Sequence, residues 1–308
     1  MTGREALRSE TARGTLAGFT AYGVWGLFPL LFAAMAPAGP WEILAHRILW
    51  TLLLCGVLLT LMRDWSWILP LRRQPRLLAG VTAAAFLIAT NWVVYVAAVT
   101  SGNTSDAALG YFLNPLATVA LGVVVVHERL RPLQWTAVAV GAVAAIYLAV
   151  VAGEFPATAL VLAVSFALYG LVKNKVGVAL PALHSLSLET AILSPVAAII
   201  LVIVAFTPAG MTFGTGIGHT GLLVFSGVAT AIPLLLFAAA ARRIPLVTIG
   251  LIQFITPILQ LLCAVLLLGE QLPTQRWIGF GIVWVALILL ATDSVLKVWS
   301  TRSSSTPG

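Results

Sequence analysis

Ten long apolar segments follow one another along this 308-residue chain, and nothing else in the sequence narrows its folds as far. They run at roughly 15–35, 41–62, 77–99, 106–126, 132–152, 157–172, 186–206, 221–241, 244–268 and 277–296. A bilayer's hydrocarbon core, about 30 Å thick, takes about 20 apolar residues of helix to cross. Inside it every backbone polar group must find a partner, which leaves only helices and closed barrels. Barrel strands alternate apolar and polar residues, whereas these segments are continuously apolar. The expected fold is therefore an all-α integral membrane protein with ten transmembrane helices. Connectors are short and hold breakers: Pro37 to Pro40, Ser101-Gly102-Asn103, Pro181, and the glycine-rich stretch Thr207 to Thr220. The sixth segment is short, and only Arg242-Arg243 divides the eighth from the ninth.

Composition agrees. Hydrophobic residues make up 60% of the chain and charged ones 9%, against about 25% charged in ordinary soluble domains. The excess of 17 Lys+Arg over 10 Asp+Glu does not indicate nucleic acid, because the basic residues are scattered between apolar segments. Cys55 and Cys263 both lie inside apolar segments, so neither disulfide nor metal spacing is available. His127-Glu128 is not a zinc motif, since Arg131 stands where the second histidine would be. There is no GxxxxGK[ST] loop, so this chain does not use ATP directly. No cofactor and no metal are expected. The polar leader Met1 to Gly14 runs straight into a segment long enough to span, which argues against a cleavable signal peptide.

Basic residues set the expected orientation, because cytoplasmic loops are enriched in Lys and Arg. With both termini inside, 15 of the 17 fall on the inner side, leaving Arg276 outside and Arg47 within the second span. The chain also repeats itself. A shift of 142 residues lays Phe112 on Phe254, Pro115 on Pro257, Glu128 on Glu270 and Trp135 on Trp277. A shift of 147 lays Phe19, Tyr22 and Glu42 on Phe166, Tyr169 and Glu189. An odd number of spans separates the copies, so they face opposite sides of the membrane. The expected organisation is two inverted five-helix repeats, 15–152 and 157–296, with cytoplasmic tails at 1–14 and 297–308. That architecture recurs in secondary transporters.

The residues also carry a resemblance. An apolar span, a Glu-x-Leu turn and a span opening on tryptophan, made twice, resemble the EamA repeats of the drug/metabolite transporter superfamily. Within it, Ala21 to Pro29, Glu42 to Arg47 and Gly110 to Pro115 resemble the RarD branch. The resemblance covers nearly the whole chain. It implies a ten-helix permease of the bacterial inner membrane, an exporter, with a cavity between the halves. The second half departs from the first: Thr256 stands at the place of Asn114, and nothing matches His46-Arg47.

Candidate site residues are the polar groups stranded in the spans. Arg47 lies about 10 Å below the end of its helix at 1.5 Å per residue, and intramembrane charges mark cavities and pathways. The bland alternative is a structural pair with Glu42 or a helix end. His46 adjoins it, with Glu42 four residues earlier on the same face as His46. Asn91, Trp92 and Tyr95 on the third span and Tyr111 and Asn114 on the fourth supply a second polar group. These seven side chains, His46 and Arg47 included, are expected to converge on one cavity. Gln253, Gln260, Tyr22, Trp25 and Tyr169 are weaker. Glu42 and Glu189 are placed in the first turns of their spans, where a carboxylate complements the helix dipole and Ser187 would cap; coupling or gating is their alternative role. Glu128, beside Arg129, and Glu270, six residues before Arg276, each lie in a tight turn between spans and read as structural. Gly18, Gly23, Gly26, Gly110 and Gly122 are expected to let helices approach closely.

The reading that gathers these features is a secondary transporter of small metabolites or drugs, with protons as the candidate coupling ion and the lipid bilayer as surroundings. It is not expected to be an enzyme. A membrane-embedded enzyme on a lipid-like substrate would need an acid–base pair or metal cluster in one layer, and a channel would need rings of repeated charge.

Overall fold

The computed structural model describes residues 3–71, 73–126, 130–151, 155–177, 180–241, 243 and 252–303, and its regular elements are all helical. The first span is broken. Helix α1 (Gly3–Gly26) stops and α2 (Phe28–Ala34) restarts beyond Leu27. The cause is Pro29, which lacks the amide that would bond the carbonyl of Trp25. In a membrane such freed carbonyls need other donors. Here they come from the ninth span: Gln260 Nε2 donates to Trp25 O at 3.4 Å and Cys263 Sγ to Gly26 O at 3.8 Å, while Thr256 Oγ1 adds a bond to Tyr22 O, one turn before the break, at 2.7 Å.

The first half continues with α3 (Pro40–Met62), a single turn α4 (Ile68–Leu71), α5 (Pro75–Thr100), α6 (Thr104–Val126) and α7 (Pro132–Val151). The second half holds α8 (Ala157–Gly177), α9 (Ala182–Ala205), α10 (Ile217–Ala241), α11 (Ile255–Leu262) and α12 (Thr274–Ser303). A π-helical turn, Cys263–Leu267, prolongs α11. Among the described residues six stretches are long and apolar enough to cross a membrane, and shorter apolar helices accompany them.

Several boundaries differ from expectation. The leader is helical from Gly3, and α12 runs on to Ser303. Helix α8 reaches Gly177 rather than stopping at 172, and α9 starts at Ala182 rather than 186. Of the ninth span, 244–251 lie outside the described residues. So do Glu128, Arg129, Arg72 and Arg242.

Contacts between helices obey an exchange rule. Helix α1 packs on α10 and α11 as α8 packs on α5 and α6; α3 meets α10 as α9 meets α5. The pairs α3–α9, α6–α11 and α7–α12 map onto themselves. The self-paired helices are antiparallel. Glu42, near the start of α3, binds Thr212 and Phe213 beyond the end of α9, while Asp64, just past α3, binds His184 near the start of α9. Arg131, just before α7, pairs with Asp293 in the later part of α12. A two-fold axis that exchanges antiparallel helices lies across them, in the membrane plane.

Close approach is achieved by glycine at two crossings. A Cβ on Gly110 would sit 2.9 Å from the Ala159 carbonyl oxygen, and one on Gly227 would sit 2.5 Å from the Trp50 carbonyl carbon. At the second crossing Thr51 Oγ1 donates to Gly227 O at 3.1 Å. Gly26 meets Leu259, whereas Gly23 faces open space, contrary to expectation. Outward residues such as Leu61, Val150 and Ile203 are exposed, as a lipid-facing surface requires.

Candidate functional site

The site is built around Arg47, the eighth residue of α3 and only 2% exposed. Its Nε donates to Thr230 Oγ1 on α10 at 3.1 Å. Three rings close around the guanidinium carbon: Trp92 at 4.5 Å, Phe32 at 5.0 Å and Phe28 at 5.5 Å. Ring faces attract a cation, more so where water is excluded. Nη1 is buried without a partner, and among the described residues no carboxylate pairs with the group. A structural pair with Glu42 is not formed.

From the rings a polar chain runs across the third and fourth spans. Tyr95 packs edge-on against Phe32 at 5.7 Å and against Tyr111 at 5.4 Å, and its buried hydroxyl has no partner. Tyr111 donates to Asn91 Oδ1 at 2.9 Å, and Asn91 in turn donates to Leu162 O and Ser165 Oγ on α8. Asn114, three residues beyond Tyr111, is buried with its Oδ1 unpartnered, while its carbonyl accepts from Thr118 Oγ1. Unpartnered polar groups in so dry a place cost several kcal/mol (about 2–7). A ligand that reaches them removes the cost.

His46 does not share this cluster. It stacks on Phe213 at 4.6 Å, accepts from Trp50 Nε1 at 3.2 Å, and turns Nε2 toward Glu42, 4.0 Å away. Glu42 is in the first turn of α3 and accepts from the amides of Thr212 and Phe213 at 2.8 and 2.9 Å and from Thr212 Oγ1 at 2.9 Å. His219 Nε2 lies 2.7 Å from that hydroxyl. Since the Thr212 proton points to Glu42, His219 is the donor. These groups tie the α9–α10 connection to the start of α3.

Glu189 departs from its expected place. It is the eighth residue of α9, two turns in, bound to Lys173 Nζ at 2.5 Å, Ser185 Oγ at 2.8 Å and Tyr169 Oη at 3.3 Å. Ser187 does not cap the helix but bonds back to Leu183 O. The starts of α3 and α9 are 142 residues apart, as in the later repeat. Counting from helix starts sets Arg47, not Glu42, against Glu189. Tyr22 and Trp25 form a separate aromatic cluster with Phe237. Gln253 is partly buried in the turn before α11, and Gln260 is buried with Oε1 unpartnered.

Missed from sequence were Phe28, Phe32 and Thr230 around Arg47, and the Asp64–His184 contact at 2.7 Å with Trp67 stacked on the imidazole. Glu270 accepts the Thr104 and Ser105 amides and so caps α6, a structural role. Both cysteines are free and buried, and the described residues hold no group of three metal-ligating side chains.

Two inverted five-helix repeats around a buried polar layer define a membrane transporter. The EamA-like transporter family matches residues 12–151 and again 156–292, and the chain belongs to that family. It is 44% identical to protein RarD of Streptomyces exfoliatus over 96% of this chain and 93% of that one. It is 36% identical to protein RarD of Escherichia coli K12 over 93% and 96%, and 37% identical to the uncharacterized transporter YojE of Bacillus subtilis over 96% and 99%. A solved crystal structure at 19% identity, covering 91% of this chain and 97% of that one, shares the fold with a TM-score of 0.61.

Proposed function

We propose that the chain is a secondary active permease of the bacterial inner membrane with both termini cytoplasmic, moving small metabolites or drugs outward by alternating access. Its binding centre is Arg47, with Trp92 against the guanidinium and Tyr95, Tyr111, Asn91 and Asn114 as the polar groups of the adjoining spans. The observation that carries this is the buried guanidinium whose Nη1 has no partner. A planar fork of donors suits a carbonyl or carboxylate oxygen, and desolvation strengthens such bonds. The broken first span beside it is a feature of binding sites in inverted-repeat transporters. His46, with Glu42 one turn away, is the candidate for coupling movement to protons, since imidazole titrates near neutral pH.

The test begins with a thermal-shift screen of purified protein against small carbonyl and carboxylate compounds. Hits then go into proteoliposome uptake with and without an imposed pH gradient. Arg47→Lys keeps the charge but not the fork, and should lose about ten- to hundredfold in uptake, the worth of one charged hydrogen bond. His46→Gln should flatten the pH dependence. Wild-type uptake per folded molecule in Arg47→Ala would end the proposal.

A further inference from the structure

We propose that the central site takes an organic monoanion, a carboxylate on an aromatic or otherwise apolar body, and that the inside-negative membrane potential drives it outward. This deepens the reading of Arg47 as the binding group and rests on it.

An arginine does not deprotonate in a protein, so the site holds one fixed positive charge. The nearest counterpart by helix position, Glu189, is committed to Lys173, Ser185 and Tyr169. Glu42 is committed to loop amides at one end of α3. Asp64, Asp106 and Asp293 are held by His184, Arg276 and Arg131. What surrounds the guanidinium is instead the faces of Trp92, Phe32 and Phe28 and one serviceable hydroxyl, Tyr95. Rings compensate a buried cation only in part, so an anion completes the site.

The same surroundings choose among anions. Aromatic walls favour an apolar body, and the partnerless Tyr95 hydroxyl adds a donor for the second oxygen. A zwitterion would bring an ammonium group beside the guanidinium, where like charges repel and, among the described residues, no free carboxylate receives it. A neutral amide would fill the space and leave the charge uncompensated. The preference runs from monoanion to neutral molecule to zwitterion.

Transport direction then follows from the charge that moves. Loaded, the site is neutral; empty, it carries the arginine's charge. Releasing the anion outside and returning empty moves one negative charge outward per cycle. An inside-negative potential of 100 mV supports about a fiftyfold gradient for one charge. The return of the empty carrier is the voltage-sensitive step, because the field pulls its positive charge inward. Proton entry through His46 would add to this drive rather than replace it.

The test uses the full chain in proteoliposomes with pH clamped equal on both sides. Three probes of similar size are compared: N-benzoylglycine, its neutral amide N-benzoylglycinamide, and the zwitterion phenylalanine. Binding is read as thermal stabilisation, and flux as labelled probe moved under valinomycin–potassium diffusion potentials. N-benzoylglycine should bind at least about tenfold tighter than either competitor, the worth of one charged hydrogen bond. Its flux should rise as the receiving side is made positive. Arg47→Gln, folded by its own melting curve, should level the anion-to-amide ratio. If Arg47→Gln fails to fold, the wild-type ratio and its voltage dependence still decide. Phenylalanine binding as tightly as the anion, with that binding lost in Arg47→Gln, would overturn the substrate class and leave the site standing. Equal binding of all probes by wild type and Arg47→Gln would overturn both. Anion flux indifferent to voltage would overturn the driving force.

Discussion

One absent methyl fixes the crossing of α3 and α10. At Gly227 the opposing atoms are the Trp50 Cβ and the backbone of Trp50 and Thr51, none of which moves when a side chain turns, so an added Cβ cannot be accommodated that way. Gly227→Ala should therefore lower stability by about 1–3 kcal/mol, the usual cost of overpacking. Gly23→Ala, with nothing within 4 Å, should be neutral or slightly stabilising because alanine favours helix. Melting temperatures of the two variants in one detergent check the pair, and equal losses would refute the crossing. Arg47 is legible in the sequence because a charge among apolar residues stands out. Its companions are not. Phe28 and Phe32 carry the same letters as rings that face lipid, and only the fold brings them within 5.5 Å of the cation.

Among elements, the α9–α10 connection is the clearest case of structure held by one side chain. Glu42 binds two of its amides and one hydroxyl across 170 residues of sequence. Glu42→Gln keeps the shape but leaves one oxygen to accept and no charge. The Thr212 and Phe213 amides should then exchange hydrogen at least about tenfold faster, as a loss near 1.4 kcal/mol requires. Hydrogen-exchange mass spectrometry of that peptide measures it, and unchanged protection would sink the claim. Long apolar runs make most helices readable, whereas the break at Leu27 inside the first span, expected as continuous over 15–35, is shown by the structure alone. The start of α9 was not readable, because Ala182 to Leu186 mixes apolar residues with His184 and Ser185. A start at 186 puts Glu189 in the first turn, whereas the helix begins one turn earlier and carries it two turns in. The shift of 147, taken from flanking letters, paired it with Glu42, whereas helix starts pair it with Arg47.

For the whole molecule, the sidedness assigned above makes a prediction that needs no substrate. Ser66 in the α3–α4 turn and Thr215 in the α9–α10 connection are both exposed and sit at opposite ends of the bundle. A cysteine at Thr215 should react with an impermeant thiol reagent in intact cells, and one at Ser66 only after the membrane is opened. The native Cys55 and Cys263 are buried and give little background. The opposite labelling pattern would invert the orientation. The inverted architecture itself was legible because charge bias and internal repetition are global signals that survive local error. The asymmetry of its centre has a consequence for charge. Two separate, identical five-helix chains would place a guanidinium in both members, facing each other across the axis. Two copies joined in one chain are free to differ, and here one half carries Arg47 at the eighth position of its helix while the other carries Glu189. A single fused chain can therefore present one positive charge to its cargo, where two identical chains would present two.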